Sequence, residues 1–584
     1  MIQAKKLTYS LPGKVLYKDA SFTIEDGRHC ALIGSNGSGK STLIDMLLHT
    51  DDYIFKGRLT QTGSGRIGYV SQFAQHEKDR SDTVFAFLCE DFETMQRHMD
   101  TLCTELETAE DSDAALQEYQ DALDEFMAID GYNYEINIRR QLKTAGLASI
   151  ADTLMADISG GEYKLVQIIR QMLRLPDLLI MDEPDVFLDF ENLSGLRKLI
   201  NTYPGTLLAA THSRYLLNHC FDMVLQIENE AIQPYDGPYV DFCLAQLQLK
   251  IDLQEASQKE TEYIIEQEAL VERLRDEATK TDSLRKGKTL HARVSYVERW
   301  KARHIREPFL DDRAPALNLP DISSEEPAPD FAVRAENYSV TFDSIVLQQV
   351  DFTILPGEKV ALVGPNGTGK TSMLRDIMRG NPCLTLGSGI RPGFLSQFHG
   401  ETLPEDKTVR ELLQQHSIDD AEGRLMALCL DEDLADSRFG MLSGGEKNLI
   451  QLTLLGAGDS NLLLLDEPTS HLDLRTQLAL EKAVSTYRGT VLMVSHDFYT
   501  IAGCTDYVLY FEDNTVRKMS ARAFRKMIYR RYFPQNYLAL EQEKKELELQ
   551  AEAALKLNDY DTARALCKKL DGIITQLIAA ANNF

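Results

Sequence analysis

No stretch of this 584-residue chain approaches the ~20 consecutive apolar residues that a membrane-spanning helix needs. The opening residues, Met1-Ile2-Gln3-Ala4-Lys5-Lys6-Leu7, lack the apolar segment of a secretory signal. Nine cysteines are scattered without a C-x-x-C pair, which argues against a disulfide framework and against a zinc site. Basic charge is scarce: 62 Lys and Arg stand against 90 Asp and Glu, a net charge of −28. A chain this acidic is repelled by nucleic acid on average, so any such contact must come from a local basic patch. These absences predict a cytoplasmic protein with no membrane and no DNA partner. The length exceeds what one core supports and predicts two to four domains.

What is present is a repeated phosphate-binding motif. Gly34-Ser35-Asn36-Gly37-Ser38-Gly39-Lys40-Ser41 has the G-x-x-x-x-G-K-[ST] spacing. It follows the apolar run Cys30-Ala31-Leu32-Ile33 and precedes a helical stretch that opens at Thr42. This strand–loop–helix context is what a P-loop requires. The glycines let successive backbone N–H groups turn toward phosphate oxygens. Lys40 is expected to reach the β- and γ-phosphates of ATP, and Ser41 to offer its hydroxyl to Mg²⁺. The motif recurs as Gly364-Pro365-Asn366-Gly367-Thr368-Gly369-Lys370-Thr371, followed by Ser372.

The repeat extends far beyond the loop. Ser159-Gly160-Gly161-Glu162 matches Ser443-Gly444-Gly445-Glu446, and each lies 23 positions before an aspartate, Asp182 or Asp466, at the end of an apolar run. His212 and His496 each lie 30 positions beyond that aspartate. Equal intervals in both halves predict two duplicated α/β domains. Gln72 and Gln397 end strands beyond each P-loop, where a carboxamide can hold Mg²⁺ and an attacking water. Asp182 and Asp466 suit indirect Mg²⁺ ligation; the adjacent Glu183 and Glu467 suit polarising a water toward the γ-phosphate.

Walker A, glutamine loop, S-G-G-E signature, Walker B with glutamate and switch histidine, twice in one chain, resemble ATP-binding cassette (ABC) ATPase domains over about three quarters of the sequence. The resemblance implies head-to-tail pairing of the cassettes within a monomer, ATP lying between the P-loop of one and the signature of the other. Site one would join Lys40, Ser41, Gln72, Asp182, Glu183 and His212 to Ser443, Gly444 and Gly445. Site two would join Lys370, Thr371, Gln397, Asp466, Glu467 and His496 to Ser159, Gly160 and Gly161. Glu183, Glu467, His212 and His496 would be catalytic. The aromatic that stacks on adenine in this family matches Phe342 in the second copy; the first has Leu11 there, with Tyr9 or Tyr17 as substitutes. The segment after the second Walker B, Thr469-Ser470-His471-Leu472-Asp473, fits the family's D-loop, whereas the first reads Asp185-Val186-Phe187-Leu188-Asp189. Both copies keep the glutamate, so two hydrolytic sites are expected, their equality left open.

Between the cassettes, residues 240–305 contain no proline and a single glycine, Gly287. Tyr263, Ile264, Leu270, Val271 and Leu274 suit one long helix, and Leu290, Val294, Val297 and Trp300 a returning one. From Lys280 to Arg306, nine Lys and Arg (Lys280, Arg285, Lys286, Lys288, Arg293, Arg299, Lys301, Arg303, Arg306) face two acids, Asp282 and Glu298. This local reversal of charge predicts a polyanion contact. A tandem with such a linker resembles the ABC-F family, whose linker is the P-site tRNA interaction motif; Arg293-Val294-Ser295 and Glu298-Arg299 resemble the start of its second helix. The resemblance implies a ribosome partner, through rRNA and P-site tRNA, and action on translation, either as a translation factor or in resistance to ribosome-targeting antibiotics. The alternative is the soluble ATPase subunit of a membrane transporter.

The expected layout is cassette one at 1–240 with a helical insertion at about 82–150, the linker and tether at 241–320, cassette two at 321–521 and a helical hairpin at 522–584. In the insertion, Leu102, Leu106, Leu116 and Leu123 are expected to face the core.

Overall fold

The computed structural model describes residues 1–11, 14–61, 66–72, 81–106, 112–186, 188–280, 284–303, 315–320, 322, 329–341, 345–397, 403–534 and 536–582. The chain divides into two compact units. One comprises Met1–Tyr239 with Ala314–Ile528, and the other Val240–Arg313 with Tyr529–Phe584.

The first unit holds both cassettes. Cassette one opens with β1 (Ile2–Leu11), β2 (Lys14–Ile24) and β3 (His29–Gly34), then α1 (Lys40–Leu48), β4 (Lys56–Gln61) and β5 (Ile67–Val70). The insertion follows as α2 (Val84–Leu106), α3 (Ser112–Ala128) and α4 (Tyr134–Ala145), leading to α5 (Gly160–Leu173). The cassette closes with β6 (Leu178–Asp182), α6 (Phe190–Thr202), β7 (Thr206–Ala210), α7 (Arg214–Cys220), β8 (Met223–Glu228) and β9 (Ala231–Asp236). Its six-stranded sheet runs β5-β6-β7-β3-β8-β9, parallel apart from β9, beside the antiparallel β2-β1-β4. Strands β6 and β7 are buried at every residue. Coverage on both faces explains why they read as unbroken apolar runs rather than alternating ones. In open sheets of this kind, ligands bind beyond the carboxyl ends of the parallel strands, where Gly34, Asp182 and Ala210 all lie.

Linker helices α8 (Tyr239–Lys280) and α9 (Leu284–Arg303) come next in the chain. Cassette two repeats the plan: β10 (Val333–Thr341), β11 (Ile345–Ile354), β12 (Lys359–Val363), α10 (Lys370–Arg379), β13 (Leu384–Leu386) and β14 (Pro392–Leu395). The short α11 (Val409–Gln415) and α12 (Ala421–Ala427) precede its signature helix α13 (Gly444–Gly456). Then come β15 (Leu462–Asp466), α14 (Leu474–Thr486), β16 (Thr490–Val494), α15 (Phe498–Cys504), β17 (Tyr507–Glu512) and β18 (Thr515–Ser520), in sheet order β14-β15-β16-β12-β17-β18. Helix α16 (Ala521–Tyr532) leads to α17 (Tyr537–Lys556) and α18 (Tyr560–Asn582).

In the insertion, Leu102 is buried and Leu106 and Leu123 are half-buried, but Leu116 is 46% exposed. The expectation that Leu116 faces the core is therefore corrected: it lies near the start of α3, whereas α3 buries Phe126 near its end.

In the second unit, α8 and the C-terminal hairpin share one core, in which Val240, Leu244 and Ile251 meet Ala563, Cys567, Leu570 and Ile574. Arg564 pairs with Asp252 at 2.8 Å and with Glu255, and the Tyr560 hydroxyl donates to Gln258 at 2.5 Å. Farther along, Tyr263 and Trp300 pack at a tilt, 5.4 Å between ring centres, and Arg293 lies over Tyr296. The side chains of Lys280, Arg285, Lys286, Lys288, Lys301, Arg303 and Arg306 lie outside the described residues.

Candidate active site

Each P-loop turns through two left-handed glycines, Gly37 and Gly39 in one cassette and Gly367 and Gly369 in the other, all at φ between +72° and +101°. A side chain at these positions would be strained. The last glycine of each pair is the N-cap, so the first turn of α1 or α10 has no side-chain acceptor from its cap. Those N–H groups and the positive helix end suit an anion. Lys40 donates to the Gly34 and Ser35 carbonyls at 2.9 and 3.1 Å, and Lys370 to Gly364 and Pro365 at 2.8 and 2.7 Å. Burial lowers the pKa of both lysines. Thr371 donates to Asp466 at 3.0 Å, and Ser41 likewise bonds to Asp182, whose carboxyl is raised by burial and by neighbouring Glu183.

Glu183 and Glu467 both sit at positive φ, 45° and 49°. A non-glycine residue rarely adopts this conformation, and strain of this kind concentrates at functional sites. Each is anchored through its backbone N–H, Glu183 to Ala210 at 2.9 Å and Glu467 to Val494 at 3.0 Å. Gln72 donates to Glu183 at 2.6 Å; Gln397 follows β14, half-buried. His496 donates through its backbone N–H to Glu467 at 3.4 Å and brings Nε2 to 3.5 Å from the other oxygen. Burial pushes the Glu467 carboxyl up to about 8 and holds His496 neutral, down at about 3. His212 is 7% exposed, and neither ring nitrogen has a partner among the described residues. Its pKa is held well below the usual value by burial, then by Lys40 and His471.

Both signature helices begin with a capping box. Ser159 accepts from the Glu162 N–H while the Glu162 carboxylate accepts from the Ser159 N–H at 2.7 Å; Ser443 and Glu446 repeat this at 2.8 Å. The cassettes meet across these elements. Asn36 of the first P-loop donates its backbone N–H to Asp473 at 3.1 Å and its side chain to the His471 carbonyl at 2.8 Å. Reciprocally, the Asn366 N–H reaches Asp189 at 3.2 Å. Gly445 of the second signature abuts Asn36: a β-carbon there would strike its amide and come within 2.6 Å of the His471 oxygen.

Four residues make contacts that the sequence did not foretell. His471 crosses to the first cassette, its Nδ1 3.0 Å from Gln72 and 3.2 Å from Glu183. Asp189 and Asp473 belong to the D-loops, but their bonds to the opposite P-loop carry no local signal. Lys164, buried in α5, donates to the Ser71 carbonyl and, at 3.1 Å, to that of Gln72. Burial lowers its pKa to about 8. A lysine inside the apolar run of a helix was the available clue. Tyr17 is wholly buried with its hydroxyl on the Gly39 carbonyl, which removes it as a platform for adenine. Tyr9 packs edge-on against Tyr53, Leu11 is exposed, and Phe342 and Phe187 lie outside the described residues.

Duplicated P-loop domains whose phosphate loops each meet the opposite D-loop define a class, the tandem nucleotide-hydrolysing cassettes. The family model described as ABC transporter matches residues 17–186 and 347–470; the chain belongs to this ATP-binding cassette family and is an ATPase that binds ATP. Among the relatives it resembles are the energy-dependent translational throttle protein EttA of Escherichia coli, 28% identical over 86% of this chain and 90% of the other. ABC transporter F family member 2 of Arabidopsis thaliana is 27% identical, over 88% and 76%. These relatives bear out the ABC-F resemblance. The crystal structure of archaeal ribosomal stalk protein aP1 with the recycling factor aABCE1 matches in fold, with a TM-score of 0.53, 18% identity and coverage of 90% and 92%. Among the described residues, no helix is long and apolar enough to cross a membrane.

Proposed function

We propose that this ATPase acts on the ribosome: ATP joins the cassettes and sets the linker helices against P-site tRNA and rRNA, and hydrolysis releases the protein. The observation that carries this reading is a linker built as two long helices, α8 and α9, with seven excess positive charges between Lys280 and Arg306 in a chain of −28. The names of the relatives agree with it, one being a translational throttle protein.

In this reading Lys40 and Lys370, with the P-loop N–H groups, bind the phosphates. Gly445 and the α13 N-terminus close site one from the opposite cassette; Gly161 and the α5 N-terminus close site two. The bonded hydroxyl–carboxylate pairs, Ser41 with Asp182 and Thr371 with Asp466, are oxygen-only donor sets and so fit Mg²⁺. The cation, when bound there, neutralises phosphate charge. Glu183 and Glu467 accept hydrogen bonds from the attacking water and aim it at the γ-phosphate. His212 and His496, kept neutral by burial, can donate one ring N–H.

Glu183→Gln with Glu467→Gln should bind ATP without hydrolysing it and accumulate on ribosomes. Sedimentation of ribosomes with ATP from cells expressing this variant checks the proposal. Enrichment over wild type is expected; equal amounts of both in the ribosome pellet would sink it.

A further inference from the structure

The hydrolytic glutamates are supported from different directions. Glu183 is held by Gln72 and by His471 of the opposite cassette. Glu467 takes its described hydrogen bond from the turn that carries His496. That turn is itself gripped by cassette one. Arg214 opens α7, two residues past His212, and is only 16% exposed. Its guanidinium pairs with Glu481 on α14, with Asp497 at 2.6 Å, and donates to Thr500 at 3.2 Å. The Thr500 hydroxyl lies 2.8 Å from both carboxylates. Asp497 directly follows His496. Its other oxygen accepts from the Tyr499 N–H at 2.9 Å, and its own N–H donates to Ser495 at 3.1 Å.

Two carboxylates this close and this poorly hydrated need a cation between them; without it they repel, and one must move or take up a proton. The cation comes from the other cassette. The residues at the matching positions of the other copy differ. In the alignment that pairs Asp182 with Asp466, Asp497 corresponds to Ser213, Glu481 to Arg197 and Arg214 to Phe498. Phe498 instead sits edge-on to Phe190, 6.3 Å away.

The geometry points to Arg214 as a positioning residue acting across the cassette boundary. It fixes Asp497 and through it the His496–Glu467 pair, so hydrolysis at site two depends on an arginine tie from cassette one, whereas site one is braced from cassette two through His471 and does not use Arg214. The inference rests on Glu467 being the hydrolytic residue of site two.

The test is steady-state ATPase activity of the full chain with Mg²⁺ and ATP. Glu183→Gln leaves site two to be read alone, and Glu467→Gln leaves site one. Arg214→Gln should lower kcat roughly tenfold in the first background and by less than about twofold in the second, with KM for ATP little changed in either. Arg214→Lys, which keeps the charge but not the fork, should recover part of the loss and serves in its place if Arg214→Gln does not fold. An equal loss in both backgrounds would reduce Arg214 to a structural tie, and no loss in either would remove it from catalysis; each overturns the inference. Failure of the underlying reading looks different: the two single glutamate variants would then hydrolyse ATP at the wild-type rate.

Discussion

Glu183 and Glu467 occupy equivalent positions but do not share an environment. Glu467 has a folded-state pKa of about 8 against an ordinary value of 4.5, mainly from burial and then from Asp466. The unfolded chain releases this proton near 4.5, whereas the folded chain keeps it to about 8, so stability falls as pH rises between the two. Glu467→Gln abolishes the effect. Its melting temperature should match that of wild type at pH 4 and exceed it at pH 8, by a stabilisation on the order of 2 kcal/mol; thermal melts at both pH values check this. Lys40, Glu183, Asp182 and their counterparts were legible because each sits within a short local frame of strand, loop and helix. His471 and Lys164 were not. Each meets Gln72 or its loop from far away in sequence, and spacing carries no record of which surfaces will be pressed together.

At the scale of elements, periodicity located the insertion and linker helices and the C-terminal hairpin, but could not say which side of each helix would be covered. Leu116 and Leu102 both fit an apolar stripe, yet only Leu102 is buried. The hairpin of α17 and α18 supplies half of a core whose other half is the base of α8. Leu570 is 1% exposed there. Leu570→Ala should cost about 2–4 kcal/mol through lost burial and the cavity left behind. Because the cassette cores are separate, limited proteolysis should cut α8 faster in this variant while the ATPase rate in solution stays near wild type.

For the whole molecule, the distribution of charge matters more than its sum. In the proposed reading the basic stretch of the linker, set against an acidic chain, is what draws RNA, by displacing counterions. Replacing Arg285, Lys286 and Lys288 together with Ala should weaken ribosome binding. It should also flatten the logarithmic salt dependence of the affinity by roughly two units, as measured by sedimentation across a salt series. Cassette pairing was foreseen from the resemblance; the source of its asymmetry was not. The asymmetry arises from substitutions such as Ser213 for Asp497 and Phe498 for Arg214, which look like ordinary divergence until the two halves are face to face.

The closure of the chain's end onto its middle has a consequence for biosynthesis. Gln258 and its partner Tyr560 are 302 positions apart. At 5–20 residues per second, the apolar base of α8 emerges roughly 15 to 60 s before the segment that will cover it. Throughout that interval the nascent protein exposes Val240, Leu244 and Ile251, so chaperone occupancy during synthesis should centre on this stretch and persist until the last helix is released.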